Sequence, residues 1–315
     1  MSITFPSAPE SVADFELDIQ NISMLGDDDK LRVILDAQQA QSNTVFLLTK
    51  NARRKAARVT EMIYDIDDTL TESGALFIPD ETLDLLHESR SAGHKVRTLT
   101  GRHQRLVDPL FKRHGNPGFD ESYTELGAFR VTGAGRREHF LATPEDERNL
   151  VKIRAHVHAM MDDLCARYGV VMQPNLGGEH ESLDSHVVLQ DGVEMSDTPV
   201  IGQIMQEIRN TIPVPGWQVR PSSRDTFDIV RDTITKANAM RRHMRINDMY
   251  PHEIGYVDDS ENGGDVHEAF EQMTRGVVYG RKSKPSLLLH ADIAVAGTAN
   301  VNPLIRFLNR AHKVG

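Results

Sequence analysis

The sequence predicts an α/β protein, a mainly parallel sheet flanked by helices and interrupted by an inserted α+β segment. Three observations carry this expectation. Short apolar runs ending in acidic or hydroxyl residues alternate with amphipathic helical patterns, first at Ile63–Tyr64 and Lys95–Leu99 and again at Ile254–Val257. Strand, helix, strand in that rhythm is a βαβ unit, which implies parallel pairing with a right-handed crossover. Residues 126–225 change character, with paired strand patterns, glycine turns and two long helical stripes. The expected division is a helical N-terminal leader over 1–57, a sheet domain over 58–125 and 226–315, and an inserted cap-like domain over 126–225.

Taken in order, residues 1–27 carry Pro6, Pro9 and the acidic run Asp27-Asp28-Asp29, and read as a surface arm. From Lys30 the spacing of Leu31, Ile34, Leu35 and Gln38 predicts a helix, and a second helical pattern runs from about Thr44 to Ala57. Met62, Ile63 and Tyr64 form the first sheet strand, which gives way to Asp65-Ile66-Asp67-Asp68-Thr69-Leu70-Thr71. A helix carrying Leu83, Leu85 and Leu86 stops at Gly93, and Lys95–Leu99 is the next strand, ending in Thr100-Gly101-Arg102. Within the insert, Phe129–Val131 and Glu138–Leu141 predict antiparallel strands around Gly133-Ala134-Gly135. Ile153, Val157, Met160, Met161, Leu164 and Tyr168 mark a long amphipathic helix whose methionines are core packing. Val170–Gln173 and His186–Gln190 read as strands, Ile201–Ile212 as a helix, and Gln218–Arg220 and Phe227–Val230 as strands. The sheet domain resumes with a helix opening at Thr235-Lys236, a buried-type strand Ile254–Val257, two short strands at Gly276–Tyr279 and Ile293–Ala296, and a last helix Pro303–His312.

Composition narrows the function. A net charge of −10 over 315 residues, with no dense Lys/Arg block, argues against nucleic acid as a partner. The lone cysteine, Cys165, excludes an internal disulfide and a cysteine-based metal cluster. No apolar run approaches bilayer-spanning length and the N-terminus lacks a signal-peptide core, so the expectation is a cytoplasmic protein without a membrane partner.

Four features fall at strand ends or helix starts: the Asp65/Asp67 pair, Thr100, Lys236 and the acidic run Asp258-Asp259-Ser260-Glu261-Asn262. In open α/β sheets the crevice at the carboxyl ends of the strands is where ligands bind. Taken alone, two of these features have a structural explanation: an acidic turn and a threonine N-cap. Together the four supply a carboxylate nucleophile, an acid/base, a hydroxyl and an ammonium for phosphate oxygens, and a distal carboxylate. Phosphoryl transfer needs that inventory, because its catalysis is mostly positioning and charge neutralisation. Hard oxygen ligands of this type suit Mg²⁺. The histidines do not suggest zinc: His156 and His158 are two apart on a helix, and His180 and His186 flank Glu181 and Asp184 without a fixed helical spacing.

The order of these motifs resembles the haloacid dehalogenase (HAD) superfamily of phosphatases over about residues 60–298. Asp65-Ile66-Asp67-Asp68-Thr69 matches the DxDxT first motif, Thr100-Gly101-Arg102 the second, Lys236 in "TKANAM" the lysine of the third, and Asp258-Asp259-Ser260-Glu261-Asn262 the acidic fourth. The position of the insert, and Glu125-Leu126-Gly127-Ala128 before it, resemble the sugar-phosphatase branch with a large α/β cap. That branch includes trehalose-phosphate, sucrose-phosphate and Cof-type phosphatases and phosphomannomutase. Two departures stand out. The branch's fourth motif is GDxxND, whereas Asp258 replaces the glycine here and Gly263 the last aspartate, and the leader is longer than is usual.

The resemblance implies a Rossmann-like parallel-sheet core and a Mg²⁺-dependent phosphomonoesterase that acts on a small phosphorylated metabolite, a sugar phosphate for preference, through an aspartyl-phosphate. Asp65 would be the nucleophile and Asp67 the acid/base. Thr69, Thr100, Gly101, Arg102, Lys236 and Asn262 would surround the phosphate, Asn262 also orienting Lys236 or a water on the metal. Mg²⁺ would fall to Asp65, the Asp67 carbonyl and Asp259, with Asp258 in the outer sphere. Substrate contacts in the insert would come from Arg130, His180, His186 or Arg220. Two alternatives share the core: a phosphosugar mutase of the phosphomannomutase type, and a non-catalytic binding protein.

Overall fold

The computed structural model describes residues 17–72, 75–112, 119–133, 135–175, 185–189, 200–221, 226–260, 264–280 and 283–314. Asn262, His180, Glu181 and Asp184 lie outside these. The strands are β1 Ile19–Asn21, β2 Val45–Leu47, β3 Glu61–Tyr64, β4 Lys95–Leu99, β5 Glu121–Thr124, β6 Phe129–Thr132, β7 Arg137–His139, β8 Met172–Asn175, β9 Ser185–Leu189, β10 Trp217–Pro221, β11 Thr226–Arg231, β12 Ile254–Asp258, β13 Thr274–Tyr279 and β14 Ile293–Ala296. The helices are α1 Asp27–Gln39, α2 Ala52–Ala56, α3 Asp80–Ser91, α4 Gln104–Lys112, α5 Pro144–Tyr168, α6 Val200–Thr211, α7 Lys236–Asn247, α8 Gly264–Ala269, α9 Ser286–Leu289 and α10 Asn302–Val314.

They build two sheets. The larger has the order β1-β2-β14-β13-β12-β3-β4-β5-β6-β7, and its central six strands, β14 through β5, are all parallel. The smaller, β10-β11-β9-β8, is wholly antiparallel. A parallel sheet must be covered on both faces, and β3 shows how the sequence achieves it. Met62 and Tyr64 point into a core shared with α2, α3 and α10, whereas Ile63 points into one shared with α7 and α8. The smaller sheet packs α5 and α6 through Ile153, Val157, Leu164, Ile204 and Ile208. Helix α5 opens on a capping box, in which Thr143 accepts from the Asp146 amide at 3.2 Å and Asp146 from the Thr143 amide at 2.9 Å. Arg231, at the end of β11, ties to the same Asp146 at 3.1 Å.

Three expectations need correction. The helix expected over 44–57 is a strand followed by a short helix: β2 pairs antiparallel with β14, and α2 starts only after Asn51. An apolar run as short as Val45–Leu48 fits either period, and here pairing at the sheet edge decides it. The leader is therefore not simply helical, since β1 and β2 extend the main sheet. The strands expected to open the insert, β6 and β7, pair with β5 and so belong to the main sheet as an antiparallel hairpin. Conversely β11, read on sequence as closing the insert but left outside it by the boundary at 225, pairs with β9 and β10 in the smaller sheet.

Candidate active site

Strand register brings the motifs together. Tyr64 is opposite both Thr98 of β4 and Val257 of β12, so Asp65, Thr100 and Asp258 emerge at one edge, the carboxyl ends of the parallel strands. Asp65 continues the alternation of Glu61 and Ile63 and stands on the α7 side. It is buried, its Oδ1 accepting the Ile66 amide at 2.8 Å and its Oδ2 the Lys236 ammonium at 2.8 Å. Lys236 is the first residue of α7, which Thr235 caps by accepting from the Asn238 amide at 3.1 Å. The site therefore also faces a helix N-terminus, where backbone N–H groups and the helix dipole favour an anion.

After Asp65 the chain turns sharply. The Ile66 carbonyl accepts from the amides of Leu70 and Thr71 at 2.9 and 3.0 Å, and Asp68 takes a positive φ of 54°. This turn leaves Asp67 partly exposed and presents its carboxylate to Arg102. Arg102 donates from Nε to Asp67 Oδ2 at 2.8 Å and from Nη2 to Oδ1 at 2.6 Å, a two-pronged clamp, and its Nη1 donates to the Ala75 carbonyl at 2.6 Å. Arg102, expected beside the phosphate, thus holds Asp67. Thr100 is fully buried and its Oγ1 accepts the Arg102 amide at 3.0 Å, which leaves its O–H to donate. Gly101 is exposed between them, and a Cβ there would meet only Leu126 Cδ2 at 3.7 Å. Thr69 is buried with its hydroxyl unpartnered.

The 125–127 turn fits closely over this loop. Glu125, Leu126 and Gly127 all have positive φ, at 53°, 59° and 91°. The amides of Glu125 and Leu126 bond back to the carbonyls of Arg102 and Thr100 at 3.0 and 2.9 Å. Only glycine fits at 127, because a Cβ there would lie 2.2 Å from that of Ala239 on α7. Backbone held in sparsely populated conformations clusters at functional sites.

Charge is unbalanced at this edge. Among the described residues, Asp65, Asp258 and Asp259 are buried around the Lys236 ammonium. Burial opposes the Lys236 charge, but Asp65, Asp258 and Asp259 overcome it and hold the ammonium protonated. Burial raises the Asp65 carboxyl above its usual range, with Lys236 working against the rise and Asp258 adding to it. Asp259 is pushed up to about 8, first by burial and then by Asp65 and Asp258. Asp258 Oδ1 accepts from His267 Nε2 at 2.8 Å, while its Oδ2 is buried and unpartnered. Among the described residues no three His, Cys, Asp or Glu side chains gather closely enough to hold a metal unaided. Mg²⁺ needs no such cage, since it takes one or two carboxylates and leaves its other positions to water and phosphate. An excess of buried carboxylate and an unpartnered buried oxygen fit such a cation.

Outside this edge, Arg130 lies in the main sheet, paired with Glu138 at 2.6 Å, and Arg220 and His186 lie in strands of the smaller sheet. Sequence reading missed the Arg102–Asp67 clamp and His267. The second-motif arginine was a signal for the clamp, but nothing in the spacing marks a histidine nine residues after Asp258.

No protein-family model matches the sequence, and no curated protein matches it. Solved structures do. A protein of Thermoplasma acidophilum superposes with a TM-score of 0.57 at 14% identity, covering 81% of this chain and 97% of its own. A haloacid dehalogenase-like hydrolase of Bacteroides thetaiotaomicron gives 0.56 at 12% identity, covering 80% and 99%. A sugar phosphatase of HAD subclass IIB gives 0.52 at 15% identity, covering 79% and 97%. The protein has the haloacid dehalogenase fold.

Proposed function

We propose that the protein is a Mg²⁺-dependent phosphomonoesterase that hydrolyses a small phosphorylated metabolite through an aspartyl-phosphate on Asp65. The observation that carries this reading is the buried Asp65–Lys236 pair at 2.8 Å, next to an Asp67 held by two prongs of Arg102. Asp65 attacks phosphorus, as an aspartate nucleophile does elsewhere. Asp67 gives a proton to the leaving oxygen and later takes one from the hydrolytic water; Arg102 holds its ionised form, and one oxygen leaves that clamp to carry the proton. Lys236, the start of α7 and the Thr100 hydroxyl hold the phosphate oxygens, with Asn262 a further candidate. Asp65, the Asp67 carbonyl and Asp259 would hold Mg²⁺, with Asp258 in the outer sphere. Bound there, the cation would neutralise charge on the transferring group.

The smaller sheet with α5 and α6, residues 144–231, is proposed as a cap that selects substrate and excludes water. A neighbour of this fold described as a sugar phosphatase supports a sugar phosphate as the substrate class. The test is a screen of phosphorylated metabolites for released phosphate, with Mg²⁺ and with EDTA. Release that depends on Mg²⁺ is expected. A chain that releases none from any ester in Mg²⁺ contradicts the proposal, and turnover that instead needs a bisphosphate activator identifies a mutase.

A further inference from the structure

We propose that His267 is a positioning residue for the cation site, acting by holding Asp258 so that one carboxylate oxygen faces the Asp65–Lys236 pair. The inference rests on the Mg²⁺ reading above and adds a residue to it.

Register carries the first step. Tyr64 pairs with Val257, so Asp258 is the neighbour of Asp65 across adjacent parallel strands, on the face that α7 and α8 cover. Asp258 is wholly buried, and such a carboxylate is costly unless each oxygen finds a partner. One does: His267, itself buried on α8, donates from Nε2 to Oδ1 at 2.8 Å, and its ring packs 5.5 Å from that of Tyr256. The other does not: Oδ2 has no partner and no access to water. An orphaned buried oxygen calls for an explanation. The charge of Asp258 bears on Asp65, Lys236 and Asp259, so its carboxylate is close to all three.

Aligning the acidic run on the resembling motif makes Asp259 the direct ligand and puts Asp258 one water beyond the cation. There Oδ2 would accept from a water in the cation's shell, and His267 would set the angle of the carboxylate. Outer-shell partners of this kind orient the groups that touch the metal. The pair is a feature of this chain, since Asp258 stands where the resembling motif has glycine.

The test is calorimetric titration of Mg²⁺ into the full chain and its variants, with thermal unfolding in EDTA as the fold control. His267→Leu is expected to weaken Mg²⁺ binding about tenfold, the lower end for loss of an outer-shell partner. His267→Gln keeps an N–H donor near the Nε2 position and should recover most of the affinity. Asp258→Asn should match His267→Leu, and Asp258→Gly combined with His267→Leu should be no weaker than either. Should the leucine variant misfold, the glutamine and asparagine variants carry the same comparison. Wild-type affinity in His267→Leu, or equal weakening in the leucine and glutamine variants, overturns the positioning role while leaving the phosphatase reading intact. A wild-type chain that binds no Mg²⁺ overturns both.

Discussion

Strand β3 and helix α7 meet at two places, and the two meetings are built differently. At the carboxyl end of the strand Asp65 meets Lys236, with Asp258 and Asp259 buried nearby. At its start Glu61 meets His243, whose Nε2 lies 2.5 Å from Glu61 Oε1. The lower meeting is matched in charge, although Glu61 Oε2 is buried there without a hydrogen-bond partner. Arg97 donates to Glu61 at 2.7 Å and also pairs with Glu121, and the Tyr123 hydroxyl lies 2.7 Å from His243 Nδ1. Burial raises the Glu61 carboxyl, yet His243 and Arg97 leave it below its usual range. At the upper meeting the same burial wins, and Asp259 rises to about 8. A matched buried network holds the helix in place. An unmatched one is set up for charge that arrives with a ligand. His243 follows Lys236 by seven residues, two helical turns, so the lower contact fixes the register with which α7 delivers Lys236.

If the contrast holds, changes at the upper meeting cost activity and changes at the lower one cost stability. Asp65→Asn should lower turnover by at least about 10³-fold, as removal of a catalytic group does. Its denaturant midpoint should not fall below that of wild type, because a desolvated charge has gone. Undiminished phosphate release from this variant would erase the distinction. Glu61→Gln or His243→Phe should cost about 3–5 kcal/mol in equilibrium unfolding, the range for leaving one partner of a buried pair alone. Turnover per folded molecule should survive, and its collapse without a stability loss would show that the lower pair takes part in chemistry.

The Asp67–Arg102 clamp sharpens the upper half. Lysine cannot reproduce a two-pronged contact, so Arg102→Lys should reduce turnover about 10²-fold, the scale of a small misplacement of a reacting group. If it instead raised KM alone, Arg102 would be serving the phosphate as the sequence implied.

The remaining effect is on pH. A folded-state value of about 8 for Asp259 is above its ordinary 3.8. Below about pH 4 both states bind the proton. As pH rises from 4 to 8 the unfolded chain releases it first, so this group's contribution to stability is lost over that window. In EDTA the melting temperature should therefore carry a decline across pH 4–8 that Asp259→Asn removes. Mg²⁺ competes with that proton and should raise the melting temperature more at pH 8 than at pH 5. An equal rise at both would show that Asp259 does not meet the cation.

What was legible in the sequence follows the same division. The upper residues could be read because each closes an apolar strand or opens a helix: Asp65 after Tyr64, Thr100 after Leu99, Lys236 after Thr235, Asp258 after Val257. Strand ends are local signals, and parallel register collects them at one edge. The lower network could not be read, because Glu61, Arg97, Tyr123 and His243 come from four elements and carry no shared spacing. Sheet membership failed for the same reason. The strand character of 129–132 is local, but its choice of β5 as partner over the smaller sheet is not, and the addition of β1 and β2 at the far edge is a long-range pairing. Arg102 was found by its motif but its contact with Asp67 was not, because only the turn at Ile66 decides which way Asp67 faces.

The central claim is that Asp65 carries the phosphoryl group during turnover, and acid quenching followed by peptide mass spectrometry tests it directly. With a substrate from the screen and Mg²⁺ present, the peptide containing Asp65 should gain the mass of one phosphoryl group, the gain should vanish on treatment with base or hydroxylamine, and Asp65→Asn should show none. Sustained phosphate release with that peptide unmodified at every quench time, or with the phosphoryl group on another residue, would contradict the account.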